Sequence, residues 1–325
     1  MEAAWKTVAA RRDLRLSRLV VVKAGMPVVT HVNGDLALGR ICSIIEQIAM
    51  LRNQQRDVIL VTSGAISIGQ FKMRAQIVLN RALGDTVKNH VHIDRNAASS
   101  VGQSKLMAMY EMGFAKFNVG CGQVLVSHED LDDPAAYSNI CEACADLLKG
   151  GLVPIVNANH IVSTGLTPAF DEVTREVSSD NDALASRIAA SLRADVLIML
   201  TDMDALYCLP DGASEPTRLS LWSAEAKLVR MGIRALESDG AFRLSDKLLT
   251  RRNTFAGRTR MSEAGLQALV SATVGAVSCG VRAAVVTSGL HPLALLQVTR
   301  GDDVGTIFVP GRSEEGTAVQ IDAKL

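Results

Sequence analysis

Short runs of Val, Ile and Leu recur along this chain, each ending in a polar or glycine-bearing turn before helical periodicity resumes. That alternation constrains the fold more than any other feature. Its clearest copy is Asp57-Val-Ile-Leu-Val-Thr-Ser-Gly64, continuing into Ala65-Ile-Ser-Ile-Gly-Gln70. An unbroken β-branched run with charge only in front of it suits a strand covered on both faces, as in a parallel sheet flanked by helices. Strands of that kind present ligand groups beyond their carboxyl ends. Ser63 would set a hydroxyl beside the free N–H groups of the next helix, and Gly64 would let a ligand approach the backbone. The same residues also serve as a plain turn and N-cap, so this stretch alone leaves both readings open.

With 325 residues, 48% hydrophobic and 21% charged, the chain can bury a large core as one sizeable domain or two smaller ones. Thirty-four basic residues balance thirty-four acidic ones, so no global field points to nucleic acid or an anionic membrane, and a small molecule or another protein is the expected partner. No apolar stretch reaches the roughly 18 residues that a membrane span requires. Among six cysteines only Cys141 and Cys144 lie close together, within a helix-like segment, and a lone Cys-x-x-Cys reads as core thiols rather than a zinc site. No protein metal site is expected. Reduced thiols fit a reducing compartment. Lys6, Arg11, Arg12, Arg15 and Arg18 resemble a mitochondrial leader, but Glu2 and Asp13 interrupt them, so the cytoplasm is expected, with the mitochondrion as the alternative.

Residues 19–22 read as a first strand feeding the loop Lys23-Ala-Gly-Met-Pro27. A helix follows over 36–52, with Leu38, Ile41, Ile44, Ile45, Ile48 and Leu51 on one face. After the strand at 57–62, helices are expected over 65–74 and 96–117, the latter opening on small residues at 97–102 that permit close packing. A strand over 122–127, a helix over 133–148 started by Asp133-Pro134 and ended by Gly150-Gly151, and a strand over 152–156 come next. Ser178-Ser-Asp-Asn-Asp182 caps a helix to 192, a strand covers 195–200, a helix 262–279, a strand 283–287 and a last, near-edge strand 304–309. Residues 1–18 form an N-terminal extension, and 209–260 a peripheral, mobile segment of the one domain over 19–325. This is an α/β order built on a mainly parallel sheet.

Five sites carry the same polar punctuation: Lys23-x-Gly25, Thr62-Ser-Gly64, Asn157-x-Asn159, Asp180-Asn-Asp182 and Thr201-Asp202. Each alone is an ordinary turn. Read together as strand ends at one sheet edge, they form a binding site: lysine and backbone amides for phosphate oxygens, amide side chains for a small polar substrate, and carboxylates for a metal, a lysine or a substrate ammonium.

The chain resembles the amino acid kinase family in its glutamate 5-kinase group, and within that group the kinase half of animal-type delta-1-pyrroline-5-carboxylate synthase. The motifs that carry the resemblance run from about residue 19 to 309: Leu36-Ala-Leu-Gly-Arg-Ile-Cys-Ser-Ile-Ile-Glu-Gln47, Val61-Thr-Ser-Gly-Ala65, Val101-Gly-Gln-Ser104, Leu106-Met-Ala-Met-Tyr-Glu111, Val153-Pro-Ile-Val-Asn-Ala-Asn159, Asp180-Asn-Asp182 and Val304-Gly-Thr306. The resemblance implies a three-layer fold and Mg²⁺-assisted transfer of the ATP γ-phosphoryl to the side-chain carboxylate of L-glutamate, the first step of proline synthesis. It also implies a homo-oligomer or assembly with a related synthase. On this basis Lys23 and Gly25 face the transferred phosphoryl, with Gly25 on the nucleotide side, and Lys23, Asp180 and Asp182 take the catalytic positions. Ser63, Gly64, Asn139, Asn159 and His160 meet glutamate, and Thr201 and Asp202 approach the nucleotide.

Several positions depart from the family pattern. Met26 and Pro27 replace the hydroxyl of Lys-x-Gly-Ser/Thr, His160 replaces the aspartate of Asn-x-Asn-Asp, and Ala205 replaces a glycine in Thr201-Asp-Met-Asp-Ala-Leu-Tyr207. The family's phosphate-wrapping Gly-x-Gly-Gly-Met-x-x-Lys aligns with Met261-Ser-Glu-Ala-Gly-Leu-Gln-Ala-Leu269, which puts Leu269 at the lysine position. Losing one aimed cationic donor costs on the order of 10²–10³ in rate. Two functions are therefore expected of such a chain: a glutamate 5-kinase with a divergent loop in which Arg258 or Arg260 substitutes for the lysine, or a pseudokinase that binds ligand or assembles with an active relative.

Overall fold

The computed structural model describes residues 10–82, 93–162, 180–208, 217–223, 233–235, 242–244, 261 and 263–310. Its centre is an eight-stranded sheet in the order β3-β4-β2-β1-β5-β11-β12-β8. The strands are β1 (Leu19–Ala24), β2 (Asp57–Thr62), β3 (Cys121–Val126), β4 (Val153–Ala158), β5 (Val196–Thr201), β8 (Leu221–Ser223), β11 (Ala283–Ser288) and β12 (Thr306–Val309). From β3 to β11 every neighbouring pair is parallel; β12 runs antiparallel to β11, and β8 parallel to β12. Two small antiparallel pairs complete the described strands: β6 (Tyr207–Cys208) with β7 (Thr217–Arg218), and β9 (Ile233–Ala235) with β10 (Phe242–Leu244).

Each central strand is apolar on both faces, and its side chains divide by parity between two cores, as the pleat requires. Val20, Val22, Val58, Leu60, Val196 and Ile198 join Ile41, Ile45, Ile48, Leu106 and Phe114 in the first core, against the helices Leu38–Asn53, Arg95–Ala115 and Ala294–Arg300. Val21, Ile59, Val61, Leu197 and Met199 join Leu184, Ile188, Val270 and Val274 in the second, against the helices Asp180–Ser191 and Glu263–Ser278. Full burial of each such side chain contributes about 1.5–3 kcal/mol. Unbroken apolar runs are thus what a sheet between two helical layers demands.

Local signals set the helix starts. Asp94 accepts hydrogen bonds from the backbone N–H groups of Asn96 and Ala97, and Asp133 accepts one from Ala135 ahead of Pro134. A capping box of Ser127 and Asp130 makes a helix of His128–Asp132, which the polar spacing there had not suggested. The helix Ala65–Ala82 runs two turns past the expected residue 74 and crosses Arg95–Ala115 at backbone contact. A Cβ on Gly69 would lie 1.7 Å from the Ala98 carbonyl oxygen, and one on Gly102 1.7 Å from that of Ala65. Small residues at 97–102 do permit close packing.

Three further expectations are corrected. Leu38 is not on the buried face of its helix but 51% exposed, because the helix begins there and its first turn overhangs the core. Lys23 is the fifth residue of β1 rather than a loop residue, and Gly25 caps a short helix, Met26–Val29, with Pro27 in its first turn. Asp180-Asn-Asp182 is no strand end: it is the first turn of Asp180–Ser191. Of the segment 209–260, β8 joins the edge of the main sheet beside β12, whereas 209–216, 224–232, 236–241 and 245–260 lie outside the described residues.

Candidate active site

Strand register levels one rim of the sheet. Ala24 of β1 pairs with Thr62 of β2 and Leu200 of β5, Val61 of β2 with Val156 of β4, and Ser288 of β11 with Thr201 of β5. Lys23, Ser63, Asn157 and Thr201 therefore arrive at one edge from four neighbouring strands. Lys23 shares the parity of Val21, so it points toward the layer that holds Asp180–Ser191. There its ammonium meets Asp182: Nζ and Oδ1 are 2.6 Å apart, with side chains only 6% and 2% exposed. Oδ1 makes no aligned hydrogen bond despite that distance, so the attraction is chiefly Coulombic.

Beside this pair stands a run of amides. Asn157 Nδ2 donates to Gln103 Oε1 at 2.7 Å, and Asn181 Nδ2 donates both to Asn157 Oδ1 at 3.0 Å and to Ser63 Oγ at 3.1 Å. The Ala158 N–H donates to Oδ1 of Asn157 and of Asn181. Four segments distant in sequence are tied together, the helices Arg95–Ala115 and Asp180–Ser191 gripping the ends of β2 and β4. Below it, Thr62 Oγ1 is 2.8 Å from the hydroxyl of buried Tyr110, where burial holds the phenol well above its usual range.

The glycines serve packing here. Gly64 has φ +101°, and a Cβ on it would lie 2.6 Å from Val29 Cγ2, so the turn and the short helix packed on it require glycine here. Gly25 donates its N–H to the Leu200 carbonyl at 3.1 Å, and a Cβ there would meet that same oxygen at 3.0 Å and Lys23 Nζ at 3.4 Å. Arg40 holds the far side of this turn through the carbonyls of Val28, Thr30 and Pro27.

The sequence profile described as the amino acid kinase family matches residues 18–238. The chain belongs to the amino acid kinase family. It is 33% identical over 299 residues to delta-1-pyrroline-5-carboxylate synthase 1 of Oryza sativa subsp. japonica, covering 92% of this chain and 38% of the synthase. It is 32% identical over 312 residues to glutamate 5-kinase of Thermobifida fusca (strain YX), covering 96% of this chain and 69% of the kinase. The chain thus spans about two-fifths of the length of the synthases it matches. Among solved structures, a carbamate kinase from Giardia lamblia superimposes with a TM-score of 0.55 at 12% identity, covering 91% of this chain and 99% of that one, which shows the shared three-layer fold.

Thr201 reaches the same rim as Lys23 and Ser63. Thr201 is buried, and its hydroxyl is taken by the turn: Oγ1 accepts from the Met203 N–H at 2.9 Å and donates to the Met203 carbonyl at 3.1 Å. Asp202 follows it, half-buried. Asn159 donates its N–H to the Val126 carbonyl, and its Oδ1 accepts from Ile161 N–H at 3.3 Å, turning the chain at the end of β4 with His160 inside the turn. Asn139 is exposed on the helix Pro134–Lys149 and joins none of these hydrogen bonds. The backbone of Asp180 opens its helix; its side chain lies outside the described residues. Gln103 and Asn181 were the residues missed as individual contributors, although Val101-Gly-Gln-Ser104 and Asp180-Asn-Asp182 contained them.

Leu269 proves to be a core residue. It lies on the buried face of the helix Glu263–Ser278, fully buried in the second core, so it cannot face a phosphate. The helix start suggests another register. If the methionine of Gly-x-Gly-Gly-Met-x-x-Lys falls on Met261, its first glycine falls on Gly257, Arg258 and Arg260 fall inside the motif, and Ala264, in the first helical turn, takes the lysine position.

Proposed function

We propose that the chain is a glutamate 5-kinase, transferring the γ-phosphoryl of ATP to the side-chain carboxylate of L-glutamate. The observation that carries this reading is the buried Lys23–Asp182 pair beside the Asn181-held Ser63 hydroxyl, on the carboxyl rim of a parallel sheet in a chain of this family. A carboxylate oxygen is already ionised at neutral pH, so it attacks phosphorus without a general base. The new O–P bond forms as the bond to ADP breaks, leaving an acyl phosphate. What the protein must supply is position and positive charge. Lys23 brings an ammonium to that rim, and Asp182 orients it.

Among the described residues no cluster of three or more His, Cys, Asp or Glu offers a cage for a metal. A magnesium ion would enter on the nucleotide phosphates, and the Asp182 carboxylate, set at this rim beside Lys23, would help hold it. When bound, the ion offsets phosphate charge. Turnover is proposed to be slower than in a relative with the loop lysine, by about 10²–10³ for one missing cationic donor, with Arg258 and Arg260 as partial replacements. Self-assembly, or assembly with a related synthase chain, belongs to the same proposal, and the mass in solution tests it.

The test is ATP- and glutamate-dependent formation of a hydroxylamine-trapped acyl phosphate. The natural chain should form it, and Lys23→Ala should lower the rate by about 10²–10³. Undiminished turnover in Lys23→Ala rejects the assigned role of Lys23. A folded natural chain that binds both ligands and forms no hydroxamate favours the pseudokinase.

A further inference from the structure

We propose that Asn181 is a positioning residue that commits the Ser63 hydroxyl to act as a donor, so that the substrate group held at Ser63 is an anionic oxygen. This rests on the glutamate reading above. The starting point is one backbone group. The Ala158 N–H can only donate, and it lies 2.9 Å from Asn157 Oδ1 and 3.1 Å from Asn181 Oδ1, so it fixes which end of each side-chain amide is oxygen.

With that orientation set, the remaining directions follow. Asn181 must turn its NH₂ group the other way, toward Asn157 Oδ1 and Ser63 Oγ, and Asn157 must offer its own NH₂ to Gln103 Oε1. Asn181 lies buried in the first turn of its helix, and both of its amide atoms are engaged, so it has little freedom to flip. At Ser63 an NH₂ group can be accepted but cannot accept. One lone pair of Oγ is therefore occupied, and the hydroxyl proton has no acceptor among the described residues. The half-buried hydroxyl is left to donate to a ligand. An aspartate in place of Asn181 would reverse this: Ser63 would donate inward and show a ligand only lone pairs, which suit an ammonium and not a carboxylate.

The fold thus chooses the sign of the group that Ser63 recognises through a residue that need not touch the substrate. Packing alone makes a different prediction, which separates the two roles. If Asn181 is only a spacer, Asn181→Ala, which deletes more atoms, does more harm than isosteric Asn181→Asp. If it sets polarity, the order inverts, because alanine merely frees the hydroxyl while aspartate recruits its proton.

The experiment measures L-glutamate and ATP affinities by calorimetry for the natural chain, Ser63→Ala, Asn181→Ala, Asn181→Asp and the Ser63→Ala/Asn181→Asp double variant, with melting curves to confirm folding. Loss of one hydrogen bond to a charged group corresponds to roughly 10–150-fold weaker binding. Ser63→Ala and Asn181→Asp should each weaken glutamate by at least about tenfold. Asn181→Ala should cost less than Asn181→Asp, and the double variant should be little worse than Asn181→Asp, since both changes remove the same donor. ATP affinity should stay within about twofold, because the lost donor faces glutamate. Unchanged glutamate affinity in Asn181→Asp, a larger loss in Asn181→Ala, or fully additive losses overturns the proposal while leaving the glutamate reading in place. Absence of L-glutamate binding by the folded natural chain overturns both. Should Asn181→Asp fail to fold, Asn181→Ala decides: a loss of glutamate affinity in the folded variant as large as that of Ser63→Ala overturns the proposal.

Discussion

Replacing Asp182 with Asn tests whether the Lys23–Asp182 pair exists for stability or for chemistry. The pair is nearly dry, and the substitution keeps the size of the side chain while removing its charge. It leaves an ammonium with no opposite charge in an interior that solvates it poorly. Breaking one side of such a pair costs about 3–5 kcal/mol, and the lack of hydrogen-bond alignment at Oδ1 places the expectation near the lower figure. At roughly 2–4 °C per kcal/mol for a large domain, the melting temperature should fall by about 6–12 °C. Lys23→Met/Asp182→Leu removes both charges, and exchanging a buried pair for apolar groups is often neutral or stabilising by about 1–4 kcal/mol. The double variant should therefore melt above Asp182→Asn while forming acyl phosphate at least about 10²–10³-fold more slowly than the natural chain. Calorimetric melting of Lys23→Met, Asp182→Leu and the double, combined as a cycle, gives the coupling energy. Additivity within about 0.5 kcal/mol would show that the ammonium is not held by Asp182 and would remove the basis for Lys23 as an oriented cation.

Leu269→Lys should destabilise the chain by about 2–5 kcal/mol without raising turnover, since it empties a fully buried leucine site and inserts a charge; Ala264→Lys should raise hydroxamate formation instead. Gly102→Ala must push apart two helices whose backbones touch, and urea unfolding should show a loss of about 1–3 kcal/mol. Arg11→Ala should cost about 3 kcal/mol or more by the same assay, because its guanidinium serves the carbonyls of Asp302, Val304, Ser220 and Gly305 that open β12 and β8, and Arg11→Lys, with fewer donors, should recover only part. Alkylation at neutral pH, read by mass spectrometry, should mark exposed Cys42 and Cys279 and spare Cys144, whose thiol burial pushes up to about 12. Because that value is raised above the ordinary thiol value of 9.0, the stability contributed by Cys144 is complete below pH 9 and is lost as pH climbs toward 12.

The layered α/β architecture was legible because period and length are local properties. Runs such as Val20–Val22 and Ile59–Val61 are too short and too β-branched for helices and too uniformly apolar for a half-exposed sheet, so only a strand between two helical layers accommodates them. Lys23, Ser63 and Asn157 could likewise be placed at strand ends, since a parallel sheet gathers its carboxyl ends on one rim. Direction and distance were not local. That Lys23 meets Asp182, that Asn181 joins Ser63 to Asn157, and that Gln103 closes the run depend on strand register and on two helices far apart in sequence arriving at the same corner. The same limit holds at single residues. Gly64 and Thr201 carry the letters of a binding turn, but only the structure shows that Val29 packs on the Cβ side of one and that the Met203 backbone engages the hydroxyl of the other. Leu269 could be aligned with a lysine because a motif fixes spacing along the chain, whereas which face of the helix Glu263–Ser278 turns inward is decided by the sheet it packs on. Composition and periodicity determine which elements form; what each polar group finally touches is settled by packing, where a displacement of about one hydrogen-bond length separates a site from a turn.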